Sequence, residues 1–161
     1  MQDAHADIVV SSSCFEHAQF FWLTFLEALR ILKPDGVLYI NVPSNGSYHR
    51  HPTDNWRFYP DAGLALVAWA QRSGYDTVLL ESFIGAQDGE IWNDFVGVFL
   101  KDQRFVSKYP DRIHALSPNS TNVIVHGAAR IEKLAEYPQD IRRVNYLLQR
   151  SSEMLRDFNK V

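Results

Sequence analysis

The chain has 161 residues, enough for one domain, and 46% of them are hydrophobic, which excludes a disordered chain. Its formal net charge of −3 argues against a protein whose main partner is nucleic acid, since such proteins normally present a basic face. Cys14 is the only cysteine, which excludes an intrachain disulfide and a cysteine-rich zinc site.

The opening residues, MQDAHADIVV, carry no basic segment followed by an apolar one, so they do not read as a signal peptide. No apolar run approaches membrane-spanning length. The expectation is a cytoplasmic protein with neither a membrane nor a nucleic acid as partner. The basic pair Arg142 and Arg143 has acidic neighbours and reads as a solvated helix face. The sequons at Asn45 and Asn119 carry no weight without a secretory signal.

The first element is a strand near Asp7 to Ser12, an apolar run passing into small polar residues, as in a buried parallel strand that opens into a loop. Phe20 to Leu32 is apolar over most of a helical circumference. Thr24, Glu27 and Arg30 mark its polar stripe. Lys33-Pro34-Asp35-Gly36 should stop that helix and turn the chain, because proline cannot continue it and Asp-Gly favours a turn. GVLYINV is then a second strand, completing a βαβ unit that is right-handed in nearly all known cases.

A long loop follows, NVPSNGSYHRHPTDNWRFYPD, before Pro60 opens a second helix that ends at Gly74. YDTVLLESF and NDFVGVFLKD read as a third and a fourth strand. The Gly-punctuated turn IGAQDGEIW between them is short enough for an antiparallel hairpin. The fold class expected is α/β: part of a doubly wound, Rossmann-like sheet with parallel strands, an antiparallel C-terminal hairpin and a helical tail. Residues 1–108 would form the α/β domain and 109–161 a helical extension. In that extension Ile141, Val144, Leu148, Ser151, Leu155 and Phe158 form a heptad-like seam, expected to pack back on the domain rather than pair with another chain.

ADIVVSSSCFEH, followed by a helix ending in LEALRILKPDGVLYINVPS, resembles the fourth-to-fifth-strand region of class I S-adenosylmethionine-dependent methyltransferases of the type 11-like group. The likeness runs from about Ala6 to Lys101, and the loop YHRHPTDNWRFYPDAG resembles a subset of these enzymes associated with glycan tailoring. Asp35 stands where that family commonly has glycine. The resemblance implies methyl transfer from S-adenosylmethionine to a small-molecule or glycan acceptor. The family's Gly-rich cofactor loop is missing: none of the eight glycines lie two residues apart. The sequence therefore reads as the C-terminal half of such a domain. The strand Asp7 to Ser12 would then have an exposed edge, calling for a homodimer or a partner chain.

By the same resemblance, Ser12, Ser13, Cys14 and Phe15 would run beside the methionine end of the cofactor. His17 would face the acceptor as general base. The alternative for Glu16 and His17 is to cap the following helix. In the loop, Arg50 and Arg57 could grip a phosphate or carboxylate, and Tyr48 and Trp56 could stack on a sugar. His49, His51 and Asp54 would complete a substrate-side loop. The H-x-H with Asp54 also admits a metal-dependent hydrolase, a reading placed behind the substrate loop and a plain structural connection, and no metal ligand is assigned. The first alternative to methyl transfer, ahead of the hydrolase, is a non-catalytic remnant or partner subunit that needs an N-terminal half from another chain.

Overall fold

The computed structural model describes residues 3–87, 92–136 and 138–158. Its elements in chain order are β1 (Ala6–Ser12), α1 (Phe21–Ile31), β2 (Leu32–Pro43), α2 (Ala62–Arg72), β3 (Val78–Ile84), β4 (Asp94–Leu100), two 3-10 segments (Gln103–Lys108 and Ile113–Leu116), β5 (Thr121–Val125) and α3 (Gln139–Phe158). Among the described residues no helix is long and apolar enough to cross a membrane.

The five strands form one sheet in the order β1-β2-β4-β3-β5. β1 and β2 pair in parallel, and every other neighbouring pair is antiparallel. The expected hairpin forms, but its second strand returns to the inside: β4 lies between β2 and β3. The connecting turn, Ile84 to Trp92, lies partly outside the described residues. β1, β2 and β3 run in one direction, so their carboxyl ends share one edge of the sheet, the usual position for a ligand crevice in an open α/β sheet.

The apolar stripes of α1 and α2 lie on the same face of the sheet. Phe25, Leu29, Leu66 and Ala70 pack against Leu38, Ile40, Val42, Phe95 and Phe99. Phe25 meets Phe99 edge to face, with ring centroids 4.9 Å apart. Each such fully buried side chain contributes roughly 1.5–3 kcal/mol. The opposite face is covered by a 3-10 segment instead of a helix: Phe105 and Val106, with Tyr109 just beyond, close over Val78, Leu80, Val98 and Leu100.

The junction of α1 and β2 departs from expectation. α1 does stop at Leu32, whose backbone is extended. Lys33-Pro34-Asp35-Gly36, however, makes no turn; it bulges out of β2. A step from Ala6 to Ile8 on β1 is matched by a step from Leu32 to Val37 on β2. Lys101 donates from Nζ to the carbonyls of Leu32 (2.5 Å) and Arg30 (3.1 Å), satisfying acceptors left over at the helix end.

Two features of the tail also differ. The stretch after Tyr109 adds β5, which pairs with β3, where only a turn-rich connection had been expected. And the seam of α3 does not pack back on the sheet: Ile141, Val144, Leu148 and Leu155 are 42%, 49%, 61% and 67% exposed. The side chain of Phe158 lies outside the described residues.

Candidate functional site

At the end of β1, Ser13 takes a left-handed backbone (φ 49°), turning the chain sharply out of the sheet. The next residues form a tight turn in which His17 N–H donates to Cys14 O (3.1 Å). Ser12, Ser13 and Cys14 are exposed at this edge, whereas Phe15 is buried in the core. Phe15 therefore supports the turn from below and is not available to a ligand, whereas its three neighbours are open to solvent. Nor do Glu16 and His17 cap α1: that helix starts after Phe20 with no side-chain cap.

The long loop after β2 is bonded tightly to this turn. Asn55 N–H (2.8 Å) and Trp56 N–H (3.1 Å) both donate to Glu16 O. Thr53 Oγ1 (3.1 Å) and Asn55 Nδ2 (2.8 Å) donate to His17 O, and Trp56 Nε1 donates to Ala18 O (2.9 Å). The loop contains a cis peptide at His51–Pro52. Within it, Arg57 grips Asp54 in a two-pronged pair (2.6 and 2.8 Å) and donates to Ser47 O (2.9 Å).

Those bonds redistribute the roles expected of the loop. Arg57 is committed to Asp54, so its guanidinium braces the loop and is not left open to an anion. Asp54 is equally committed: it also accepts from His49 N–H (2.8 Å). The Arg57 hydrogen bonds hold its carboxyl well below the usual carboxylate range. Trp56 is part-exposed, with its ring edge-to-face on Phe21 and Trp22. Tyr48, Arg50 and His51 are exposed on the loop surface, Arg50 donating to Pro52 O (3.3 Å).

The fold brings together a group that spans two distant stretches of sequence. One ligand-competent atom from each of Glu16, His17 and His49 lies within 4.8 Å of the others, the one such trio found among the described residues. Glu16 is only 1% exposed, and neither of its carboxylate oxygens has a hydrogen-bond partner. Burial pushes its pKa up. His17 Nε2 is 3.6 Å from Glu16 Oε1, beyond hydrogen-bond length, while its Nδ1 faces the carbonyl of Thr53. His49 places Nδ1 3.2 Å from Ser47 O and stacks flat on Trp92, centroids 5.1 Å apart. His51 stands further off, its ring 6.5 Å from that of His17.

Sequence reasoning had grouped His49 with His51 and Asp54, since they are neighbours in the chain. It missed Glu16 as a member of the site and gave Trp92 no role. No local signal joins Glu16 to His49 across 33 positions; only the loop's bonds to the turn do so.

A separate cavity of about 630 Å³ is lined by none of Glu16, His17 and His49. Both ends of the loop border it, through Ser44 and Asn45 on one side and Tyr59 and Asp61 on the other. Asn45 and Asn93 lock its wall by exchanging hydrogen bonds: Asn45 Nδ2 donates to Asn93 Oδ1 (3.0 Å), and Asn93 N–H donates to Asn45 Oδ1 (2.6 Å).

A family model described as a methyltransferase domain matches residues 1–40, covering β1, α1 and most of β2. Among solved structures, the chain is similar to one in the complex between the Haloferax volcanii Trm112 methyltransferase activator and a candidate methyltransferase. That match has 18% identity and a TM-score of 0.43 and covers 63% of this chain. The present chain spans 56% of that structure's chain. No curated protein matches the sequence.

Proposed function

We propose that this chain forms the acceptor side of an S-adenosylmethionine-dependent methyltransferase domain acting on a small-molecule or glycan hydroxyl or amine. One observation carries the reading. The unit matched by the methyltransferase-domain model, β1–α1–β2, opens at its carboxyl end into the turn that holds His17.

The residues present fit one end of the cofactor only. Ser12, Ser13 and Cys14 lie exposed where the methionine portion would run, and the left-handed Ser13 turns the backbone outward there. Nothing in the sequence supplies closely spaced glycines for the nucleoside portion. Elements from outside these residues would complete the site. When bound, the cofactor supplies an electrophilic methyl group. This chain's part is to hold the acceptor against it, a matter chiefly of positioning. With its Nδ1–H donating to Thr53 O, His17 keeps a lone pair on Nε2, and in this reading it would take the acceptor's proton.

A second reading, a non-catalytic subunit, is favoured by the edge of the sheet. Among the described residues β1 pairs with β2 alone, and Ile8 and Val10 on it are 65% and 66% exposed. Both readings place a second chain on that edge, either a copy of this one or a different partner. Calorimetric titration of S-adenosylhomocysteine, with the solution mass recorded alongside, separates them. Micromolar binding by an assembled form, lost in a monomeric β1 variant, is the expected result. A well-folded sample that binds no S-adenosylhomocysteine in any assembly state overturns methyl transfer and leaves the non-catalytic subunit.

A further inference from the structure

We infer that Glu16, His17 and His49 form a binding site for a divalent transition-metal ion of the zinc class, with at least one coordination position open to solvent or acceptor. The notable feature is the carboxylate. Both oxygens of Glu16 are buried and have no hydrogen-bond partner, and a group in that condition is costly unless something cationic meets it. His17 Nε2, 3.6 Å from Glu16 Oε1, is too distant for a hydrogen bond. An ion between them would satisfy both.

The histidines are prepared in the way metal-bound histidines usually are. Such a ring commonly donates its second N–H to a carbonyl or carboxylate, fixing the tautomer that leaves the other nitrogen bare. His17 Nδ1 faces Thr53 O, and His49 Nδ1 faces Ser47 O. The surroundings are rigid too. The stack on Trp92 and the Asp54 bond to its backbone N–H orient His49, and the carbonyls of Glu16 and His17 are pinned by the loop. The ligand atoms lie within 4.8 Å of one another. Small side-chain rotations would bring them to the roughly 3.3 Å spacing of a tetrahedral ion with bonds of about 2.0 Å.

The donor set selects the metal. Two imidazoles and one carboxylate suit zinc and its first-row neighbours, whereas magnesium and calcium prefer all-oxygen shells. Three protein ligands with an open position are the arrangement of catalytic rather than structural zinc. With an ion bound, His17 Nε2 becomes a ligand and gives up the role of base. The ion would then acidify a hydroxyl coordinated at the open position, whose proton would pass to solvent through that same opening.

The test is independent of activity. The chain is stripped with a chelator, then titrated calorimetrically with Zn²⁺ and, in parallel, with Co²⁺ followed by its visible absorption. One ion per chain is expected, with Co²⁺ bands of a four- or five-coordinate site. Glu16→Gln, which keeps the side chain's volume, and His49→Ala should each weaken binding by at least about tenfold. His126→Ala, which alters a histidine outside the trio, should leave binding unchanged. Failure to bind one ion, or equal affinity in the Glu16→Gln and parent chains when circular dichroism shows both folded, overturns the site. The S-adenosylhomocysteine titration is read separately on the same samples, so failure of the metal site and failure of the methyltransferase reading are distinguishable.

Discussion

Asp54 and Arg57, three residues apart, close on each other through two parallel hydrogen bonds, Nη1–Oδ1 at 2.6 Å and Nη2–Oδ2 at 2.8 Å. The pair ties both limbs of the loop: Asp54 takes the His49 N–H, and Arg57 donates to Ser47 O and Trp56 O. Asp54 is ionised more readily in the folded chain than its ordinary value of 3.8 would allow, so the folded state resists its protonation. The pair's contribution is therefore complete above that value and is lost as pH falls below it. Asp54→Asn should cost about 1–3 kcal/mol at pH 7 and flatten the acid limb of the stability profile. Urea unfolding from pH 7 to pH 2 checks this; parallel profiles for variant and parent would refute it. Arg57→Lys should behave nearly as badly, because an ammonium cannot make the two-pronged contact.

Gly36 sits at the bulge of β2, and what surrounds it is backbone. A Cβ there would lie 3.0 Å from the carbonyl oxygens of Ala6 and Asp7 and 2.9 Å from Leu32 Cδ2. Leu32 could shift, but the two carbonyls belong to the β1 backbone and could not do so without disturbing its pairing. Gly36→Ala should therefore cost about 1–3 kcal/mol, lowering Tm by roughly 5 °C. An unchanged melting curve would mean that the bulge relaxes freely.

That bulge also shows where sequence patterns stop being informative. Periodicity located α1, α2 and the first four strands, because each buries a stripe or a face whose spacing is set by the backbone. It failed where long-range pairing overrides local preference. Pro34-Asp35-Gly36 reads as a turn, yet pairing of Leu32 and Val37 with β1 on either side makes it a bulge, to which Tyr109 Oη is bonded at Asp35 O (2.6 Å). Asn122 to Val125 reads as part of a connection, yet the open edge of β3 recruits it as β5. At the candidate site, His17 and His49 were each singled out from the sequence. Their association with Glu16 was not, since it depends on hydrogen bonds between a loop and a turn far apart in sequence.

Glu81 illustrates a second long-range polar contact. Buried in the middle of β3, it accepts from Ile113 N–H (2.7 Å), His114 N–H (3.0 Å) and His114 Nδ1 (2.7 Å). It thereby anchors the 3-10 segment Ile113–Leu116 to the sheet. Glu81→Ala strands these donors and should cost about 2–3 kcal/mol, with faster proteolytic cleavage between residues 109 and 117. His114→Ala removes the ring contact but keeps both backbone bonds, so its effect should be smaller on both measurements. Equal losses in the two variants would place the anchor in the imidazole rather than in the backbone N–H groups.

The edge of β1 provides the last test. Ile8 and Val10 alternate onto one face, and that strand's outer backbone groups face no other strand among the described residues. An apolar edge of this kind attracts another strand. The 161-residue chain should therefore self-associate at micromolar concentration, and Val10→Lys should return it to a monomer, since a lysine on an edge strand opposes pairing. Sedimentation of the two proteins at matched concentrations gives the answer. Val10→Lys does not touch the core packing of Phe25, Leu38 and Phe99 on the other face, so thermal stability of the monomer should change by no more than about 0.5 kcal/mol. A parent chain that sediments as a monomer would show that β1 tolerates an open edge, and would remove assembly through it from both functional readings.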